Sequence, residues 1–236
     1  MLIGLDVPTD ATVDPVAAAR RAEALGFDFV SASDHPGAAD TNEVWTMLTW
    51  IAARTERIRI GTRVLGVPFR NPALTGKMAA TLQHLSGGRL ILGLGGGSGD
   101  DEMRAFGIAV PSPREKVERM AAAVETIRVD FSGPIWLGTF GPRALAVTGA
   151  LADGWIPSLG YAPDEELPRM RERVLAAARA AGRGPHAVTC ALNLPCDTPV
   201  GRIRELAAAG FDAFNFKASG EREAERLARE VVPRLR

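Results

Sequence analysis

This 236-residue chain is poor in reactive side chains, with two cysteines, three histidines and no net charge from 28 basic and 28 acidic residues. Cys190 and Cys196 have no histidine or further cysteine at metal-ligand spacing, which leaves them as small reduced side chains rather than a disulfide framework or zinc site. An even charge balance without any run of five like charges removes the footprint that nucleic acid or an anionic membrane surface requires. Also missing are an uninterrupted apolar span of membrane length and, in MLIGLDVPTD, a cationic leader with an apolar core. The expectation is a cytoplasmic protein whose partner is a small molecule. With 46% hydrophobic residues the chain can bury a substantial core, and one domain over 1–236 suffices.

What the chain does have is alternation. Arg57 to Gly99 forms a complete strand-helix-strand unit. Ile58 to Val67 is β-branched and aliphatic but contains Gly61 and Gly66, and an isolated glycine in a strand suggests a bulge or a close backbone approach. Asn71-Pro72 supplies an N-cap with proline at the first helical position, and Leu74, Met78, Leu82 and Leu85 recur at helical spacing until Gly87-Gly88. Arg89 to Leu94 then reads as a strand covered on both faces, running into Gly95-Gly96-Gly97-Ser98-Gly99. Further copies surround this unit. Strands are expected at Leu2 to Asp6, Phe27 to Ser33, Pro134 to Gly138, Trp155 to Leu159, Val188 to Leu194 and Ala213 to Lys217, with helices between them and a closing helix from Gly220 to Leu235.

Eight strands, each followed by a helix at about 30 residues per unit, predict an α/β fold of the (β/α)8, or TIM, barrel type. An open dinucleotide-binding sheet fits less well. The glycine cluster follows the fourth strand, Gly93-x-Gly95-x-x-Ser98 lacks the third glycine, and no acidic residue closes a following strand at the expected distance. In a barrel, functional groups belong at the carboxyl ends of strands, where Asp6, Asp34-His35, the tail Gly95 to Gly99 and Gly138-Thr139-Phe140-Gly141 fall.

Ser33-Asp34-His35, Thr55-Glu56-Arg57-Ile58-Arg59-Ile60-Gly61-Thr62, Val67-Pro68-Phe69-Arg70-Asn71-Pro72, Leu85-Ser86-Gly87-Gly88-Arg89-Leu90, Gly93-Leu94-Gly95, Glu102 with Phe106-Gly107, and Ala152-Asp153-Gly154-Trp155 span nearly the whole chain. Together they resemble the luciferase-like monooxygenase family, and the Asp-His ending and Gly-Thr-x-Val-Leu run are more similar to its coenzyme F420-dependent oxidoreductase branch than to the FMN-dependent monooxygenases. The resemblance implies a barrel that binds a deazaflavin or flavin at its carboxyl end, moves a hydride and forms a homodimer. An FMN-dependent monooxygenase and a non-catalytic flavin- or deazaflavin-binding protein are the alternatives. By residue match, the family's non-prolyl cis peptide would join Arg63 to Val64, with Thr62 beside it as support for a flat ring. Arg63 departs from the small residue usual there, so its guanidinium either points away or contacts the cofactor.

Two loops offer bare amides ahead of helix N-termini for a phosphate. Gly138 to Gly141 is the better of the two, because Thr139 adds a hydroxyl and Arg143 a cation, and it matches the family's phosphate-contacting segment. Gly95, Gly96, Gly97 and Ser98 form the other. Asp100, Asp101 and Glu102 read as first-turn caps, and no histidine joins them as a metal site. His35 is the candidate proton donor or acceptor, since its ordinary pKa suits neutral pH; otherwise it is a turn residue bonded beside Asp34. Asp34 counts with the cofactor contacts and Asp6 with the substrate contacts. Trp45 is either packing or a roof over the pocket. Asn215 and Lys217 share one strand face, which makes Lys217 either an anion contact at the mouth or a barrel salt bridge. The places that hold acidic residues in sugar-phosphate-oxidising relatives carry Pro8 or Thr9 and Ser98 here. A connection usual before strand five is shortened between Arg128 and Pro134.

Overall fold

Short-range signals set the helix starts. Asp14 caps α1 (Pro15–Ala24) by accepting from the amides of Val16 and Ala17, and Asn71 caps α3 (Pro72–Leu85) by accepting from that of Leu74. Ser112 and Glu115 form a reciprocal capping box at the head of α5 (Pro113–Arg128). The computed structural model describes residues 1–236 apart from 98, 158, 159, 161, 185 and 219. Its other helices are α2 (Val44–Ala52), α4 (Asp100–Ala105), α6 (Pro142–Leu151), α7 (Leu167–Ala180), α8 (Val200–Ala208), α9 (Glu221–Arg226) and α10 (Val232–Leu235). The closing helix is not continuous. A π-helical segment, Leu227–Val231, separates its halves, because Pro233 has no amide to donate and its ring would strike the carbonyl one turn back.

Among the described residues the strands are β1 (Leu2–Asp6), β2 (Phe29–Ala32), β3 (Arg59–Thr62), β4 (Leu65–Gly66), β5 (Leu90–Gly95), β6 (Ile135–Leu137), β7 (Gly154–Trp155), β8 (Thr189–Pro195) and β9 (Ala213–Lys217). Every pairing is parallel, in the order β3-β2-β1-β9-β8-β7-β6-β5-β4, and β3 also pairs with β5, which closes the sheet into a barrel. The expected third strand is two segments, β3 and β4, on either side of the cis Arg63-Val64 peptide. Of the strand expected at 155–159, Gly154–Trp155 is paired, and 158 and 159 lie outside the described residues. Between α5 and β6 the connection is a short turn in which the Arg128 guanidinium holds the carbonyls of Phe131 and Gly133.

Apolar side chains pack in two places. The larger core lies between strands and helices, and a second cluster of Phe29, Ile91, Trp136, Ile156, Ala191 and Ala213 meets through the barrel's interior. Phe29 and Trp136 meet edge to face with centroids 5.9 Å apart. Glycine makes their room: a Cβ on Gly4 would lie 2.2 Å from the Phe29 ring, and one on Gly154 would lie 2.3 Å from that of Trp136. Alternation then stacks the interior in layers, Ala191 then Asn193 on β8 and Ala213, Asn215 then Lys217 on β9. An apolar plug thus gives way to a polar layer toward the carboxyl ends.

The buried face of α3 is Thr75, Gly76, Ala79 and Leu82; of the stripe expected from spacing Leu82 is buried and Met78 packs partly against the core, whereas Leu74 and Leu85 are 59% and 74% exposed. The helix approaches α5 too closely for large residues, since a Cβ on Gly76 would lie 3.0 Å from the Ile127 carbonyl oxygen.

Much of the family-like sequence works at the opposite, amino-terminal rim. Arg89 donates to Thr55 Oγ1 and to the carbonyls of Ala52, Ile58 and Ser86. Asp153 accepts from Arg128 and from the Ile135 amide. Glu23 of α1 accepts from the amides of Glu56, Arg57 and Ile58. Burial pushes the Glu23 carboxyl upward, but the three amides outweigh it and hold it below its ordinary value of 4.5. A depressed folded-state pKa means stability present above about pH 4.5 and lost as pH falls through the folded value. Glu23→Gln is therefore expected to flatten the fall in urea midpoint between about pH 5 and pH 3. An equally steep fall in the variant would show that these bonds do not couple to acid unfolding.

Candidate active site

Above the polar layer opens a cavity of about 900 Å³, within the range of small-molecule sites. Its walls come from the ends of β2, β4, β5, β6, β8 and β9 and the loops that follow them. Part of its lining is nearly free of side chains, with Gly95 and Gly138 against Val64 and Gly66, Gly96 and Gly97 contributing further backbone. The glycines are required by packing. A Cβ on Gly95 would lie 2.5 Å from Val64 Cγ2, one on Gly138 would lie 3.2 Å from Val64 Cγ1, and one on Gly93 would lie 2.0 Å from the Thr62 carbonyl oxygen. The close approach anticipated at Gly61 is thus made across the strand pair, at Gly93 and Gly95, with Gly66 filling the same role against the Phe69 ring.

Arg63 lines the cavity and is held from below. Its Nε donates to Asp6 Oδ1 at 3.0 Å and its Nη2 to Asp6 Oδ2 at 2.8 Å, while Ser31 Oγ donates to the same carboxylate. Asp6 therefore acts on the cavity through Arg63 and does not line it. The paired donors lock the guanidinium plane. Beside it, Asp34 is fully buried at its carboxylate, which accepts from Arg70 Nη1 at 2.7 Å, Arg70 Nη2 at 3.0 Å and the Gly66 amide at 2.8 Å. Burial alone would lower the pKa of Arg70, but Asp34 and Glu43 outweigh it and raise it. Asp34 lines the cavity, yet its carboxylate ties the exit of β2 to β4.

His35 is half exposed at its ring, and its Nδ1 lies 3.0 Å from Oε1 of Glu102 on α4. None of the first-turn acids of α4 is a cap. Gly99 holds the N-cap position without a side-chain bond, Asp100 pairs with Lys116, Asp101 with Arg104, and Glu102 with His35. On the opposite wall Asn215 Nδ2 donates to Asn193 Oδ1 at 3.0 Å, across a register in which the two residues are direct partners. Lys217 reaches the cavity one alternation further along β9.

Ten expected residues thus share the cavity: Asp34, His35, Arg63, Val64, Gly95, Gly96, Gly97, Gly138, Phe140 and Lys217. Others do not line it. Thr62 is buried and donates to the Gly93 carbonyl, and the Thr139 hydroxyl meets Thr148 Oγ1 at 2.7 Å in the core, so neither hydroxyl faces a ligand. Trp45 is turned into the core by α2, away from any roof. Gly141 is the exposed N-cap of α6, with Arg143 exposed just after it, and Ser98 lies outside the described residues. Glu102, Asn193 and Arg70 were not anticipated at the site. A sequence signal existed for the asparagines, each flanked on both sides by apolar residues within its strand.

A closed parallel barrel with a cavity at the carboxyl ends of its strands is the organisation of the ligand-binding (β/α)8 barrels. The sequence model of the luciferase-like monooxygenases matches residues 6–231, and the chain belongs to that family. Among its relatives are a 5,10-methylenetetrahydromethanopterin reductase of Methanolobus tindarius and an F420-dependent glucose-6-phosphate dehydrogenase of Nakamurella multipartita. The first is 32% identical over 81% of this chain and 64% of its own length. The second is 34% identical over 67% of this chain and 57% of its own length. The chain spans roughly three fifths of these proteins. A solved F420-dependent secondary alcohol dehydrogenase, in complex with an F420-acetone adduct, shares the fold with a TM-score of 0.86 at 18% identity, covering 100% of this chain and 99% of that one.

Proposed function

We propose that the protein is an F420-dependent oxidoreductase acting on a small organic substrate as a single domain. The observation that carries this reading is the side-chain-free wall around Val64 on the same cavity as His35, in a chain whose relatives include F420-dependent enzymes. The residues present fit a flat tricyclic cofactor. Gly66, Gly95 and Gly138 leave backbone where a ring needs a smooth support, and the volume suffices. Val64 would bear on the ring's face, and Arg63, held rigid by Asp6, would offer a fixed positive charge at its edge. The amides that open α6 would take the phosphate end. No acid stands in its first turn, whereas α4 begins with three carboxylates that repel an anion. Coenzyme F420, when bound, supplies a carbon that accepts or returns a hydride as a two-electron unit. His35 holds the proton that leaves or joins the substrate as the hydride moves.

Titration of the purified protein tests the cofactor. F420 is expected to bind more tightly than FMN, and comparable or stronger FMN binding would favour a flavin-dependent monooxygenase instead. Binding without turnover across a broad substrate screen would favour a carrier. The same reading includes a homodimer in the cytoplasm, and the exposed Trp50 on α2 and Leu74 on α3 supply apolar surface for the dimer. Sedimentation at twice the 25.1 kDa chain mass checks it.

A further inference from the structure

We infer that Glu102 is the positioning residue for His35, fixing which imidazole nitrogen is presented to the cavity. The inference rests on the proton-transfer role of His35 proposed above. An ionised carboxylate only accepts hydrogen bonds, so with Oε1 3.0 Å from Nδ1 the ring carries its proton on Nδ1 and offers the Nε2 lone pair for proton exchange. The two side chains come from places 67 residues apart, the exit of β2 and the first turn of α4. Their exposures differ as this division of labour requires, 50% for His35 and 20% for Glu102.

Room for this carboxylate is made on both sides by glycine. A Cβ on Gly37 would lie 2.9 Å from Glu102 Cγ, and one on Gly99 would lie 2.9 Å from Glu102 Cδ. Packing thereby restricts the carboxylate to the edge of the His35 ring. Helix capping does not account for Glu102, because the N-cap of α4 is Gly99 and, among the described residues, no backbone amide bonds to the Glu102 side chain. Stability does not account for it either. Among the described residues its second oxygen, Oε2, is buried without a partner, a placement that a carboxylate kept for folding would not have. What remains is the bond to His35. This is the arrangement by which a carboxylate sets tautomer and ring orientation for a histidine that exchanges protons.

Three measurements on Glu102→Ala and Glu102→Gln decide the matter. The first is the 15N spectrum of the His35 imidazole in cofactor-free protein. Wild type is expected to show the Nδ1–H tautomer, Glu102→Ala a mixture or the Nε2–H form, and Glu102→Gln a return toward wild type, since its amide oxygen still accepts. The second is F420-linked turnover, in which kcat of Glu102→Ala is expected to fall about 10–100-fold with KM within about threefold, most of the loss being recovered in Glu102→Gln. The third is thermal unfolding, where Glu102→Ala is expected to melt at or above the wild-type temperature because the unpartnered buried oxygen is removed, and Glu102→Gln near it because a buried polar group stays in that place. An unchanged tautomer in Glu102→Ala, or kcat within twofold of wild type, overturns the inference. So does a lowered melting temperature with equal losses in both variants, which marks a folding role. A wild-type protein that never turns over F420 would sink the functional reading instead, and the cofactor-free spectra would still decide for or against Glu102.

Discussion

Replacing His35 with alanine is expected to lower F420-linked turnover by about 10²–10⁴-fold, the usual contribution of a positioned acid or base. Cofactor affinity should stay within a few-fold of wild type, because the smooth wall around Val64 and the head of α6 do not involve the imidazole. His35→Asn should fall by a similar factor, since an amide keeps hydrogen bonding without proton exchange near neutral pH. Stopped-flow reduction of bound cofactor, read beside a binding titration, separates the two effects. Collapse of binding with unchanged turnover per bound cofactor would make His35 a cofactor contact and end its role in proton transfer.

The second large effect concerns the apolar plug inside the barrel. Trp136→Ala is expected to destabilise the fold by about 3–5 kcal/mol in urea unfolding, the cost of truncating a large aromatic residue in a core that cannot collapse around the loss. The surroundings are rigid for a reason visible in the packing. The ring is fitted against Gly154 on the adjoining strand and against the edge of Phe29 across the lumen, and β-strands on a closed barrel have little freedom to move inward. Phe29→Ala should cost a similar amount. The double variant should cost less than the sum of the two, because both rings border one void. A loss below about 1 kcal/mol for Trp136→Ala would mean that the plug is not what fills the barrel.

How far the sequence could be read follows from the range of each interaction. A cap is made within three residues, so Asn71 announced its helix start in the sequence, and Asp14 and the Ser112/Glu115 box work at the same short range. Alternation of strands and helices, repeated eight times, gave the barrel. Closure itself depends on β3 pairing with β5, and the halving of the third strand showed only through family resemblance. Spacing placed Leu82 of α3 correctly but not Leu74 and Leu85, since it identifies a periodic face but not the distance to the next helix, and Gly76 against Ile127 sets that distance.

The site was harder to read for the same reason. His35 and Lys217 stand at strand ends and could be picked by position. The partner of His35 lies 67 residues away in a cluster of acids that looks like a cap from its local sequence alone. Thr139 looked like a phosphate ligand beside its glycines, but only the packing of α6 shows that its hydroxyl turns inward to Thr148. Arg89, Thr55 and Asp153, among the residues that carry the family resemblance, hold the opposite rim, so likeness to the family speaks more for the barrel than for the chemistry.

The grip on Val64 bears on how such a protein can change its chemistry over evolutionary time. Gly95 and Gly138 close on its two methyl groups, and Gly93 abuts the Thr62 carbonyl and lies near Val64 Cγ1, so a larger side chain at any one of the four positions collides with a neighbour. No single substitution opens a new path there, and drift through that wall needs coordinated changes. Cys196, Asp197 and Lys217 on the far rim have no glycine fitted against them. Selection, or a mutant library, can vary those positions one residue at a time, which under the proposed function would leave the ring's support fixed while the range of acceptable substrates diverges.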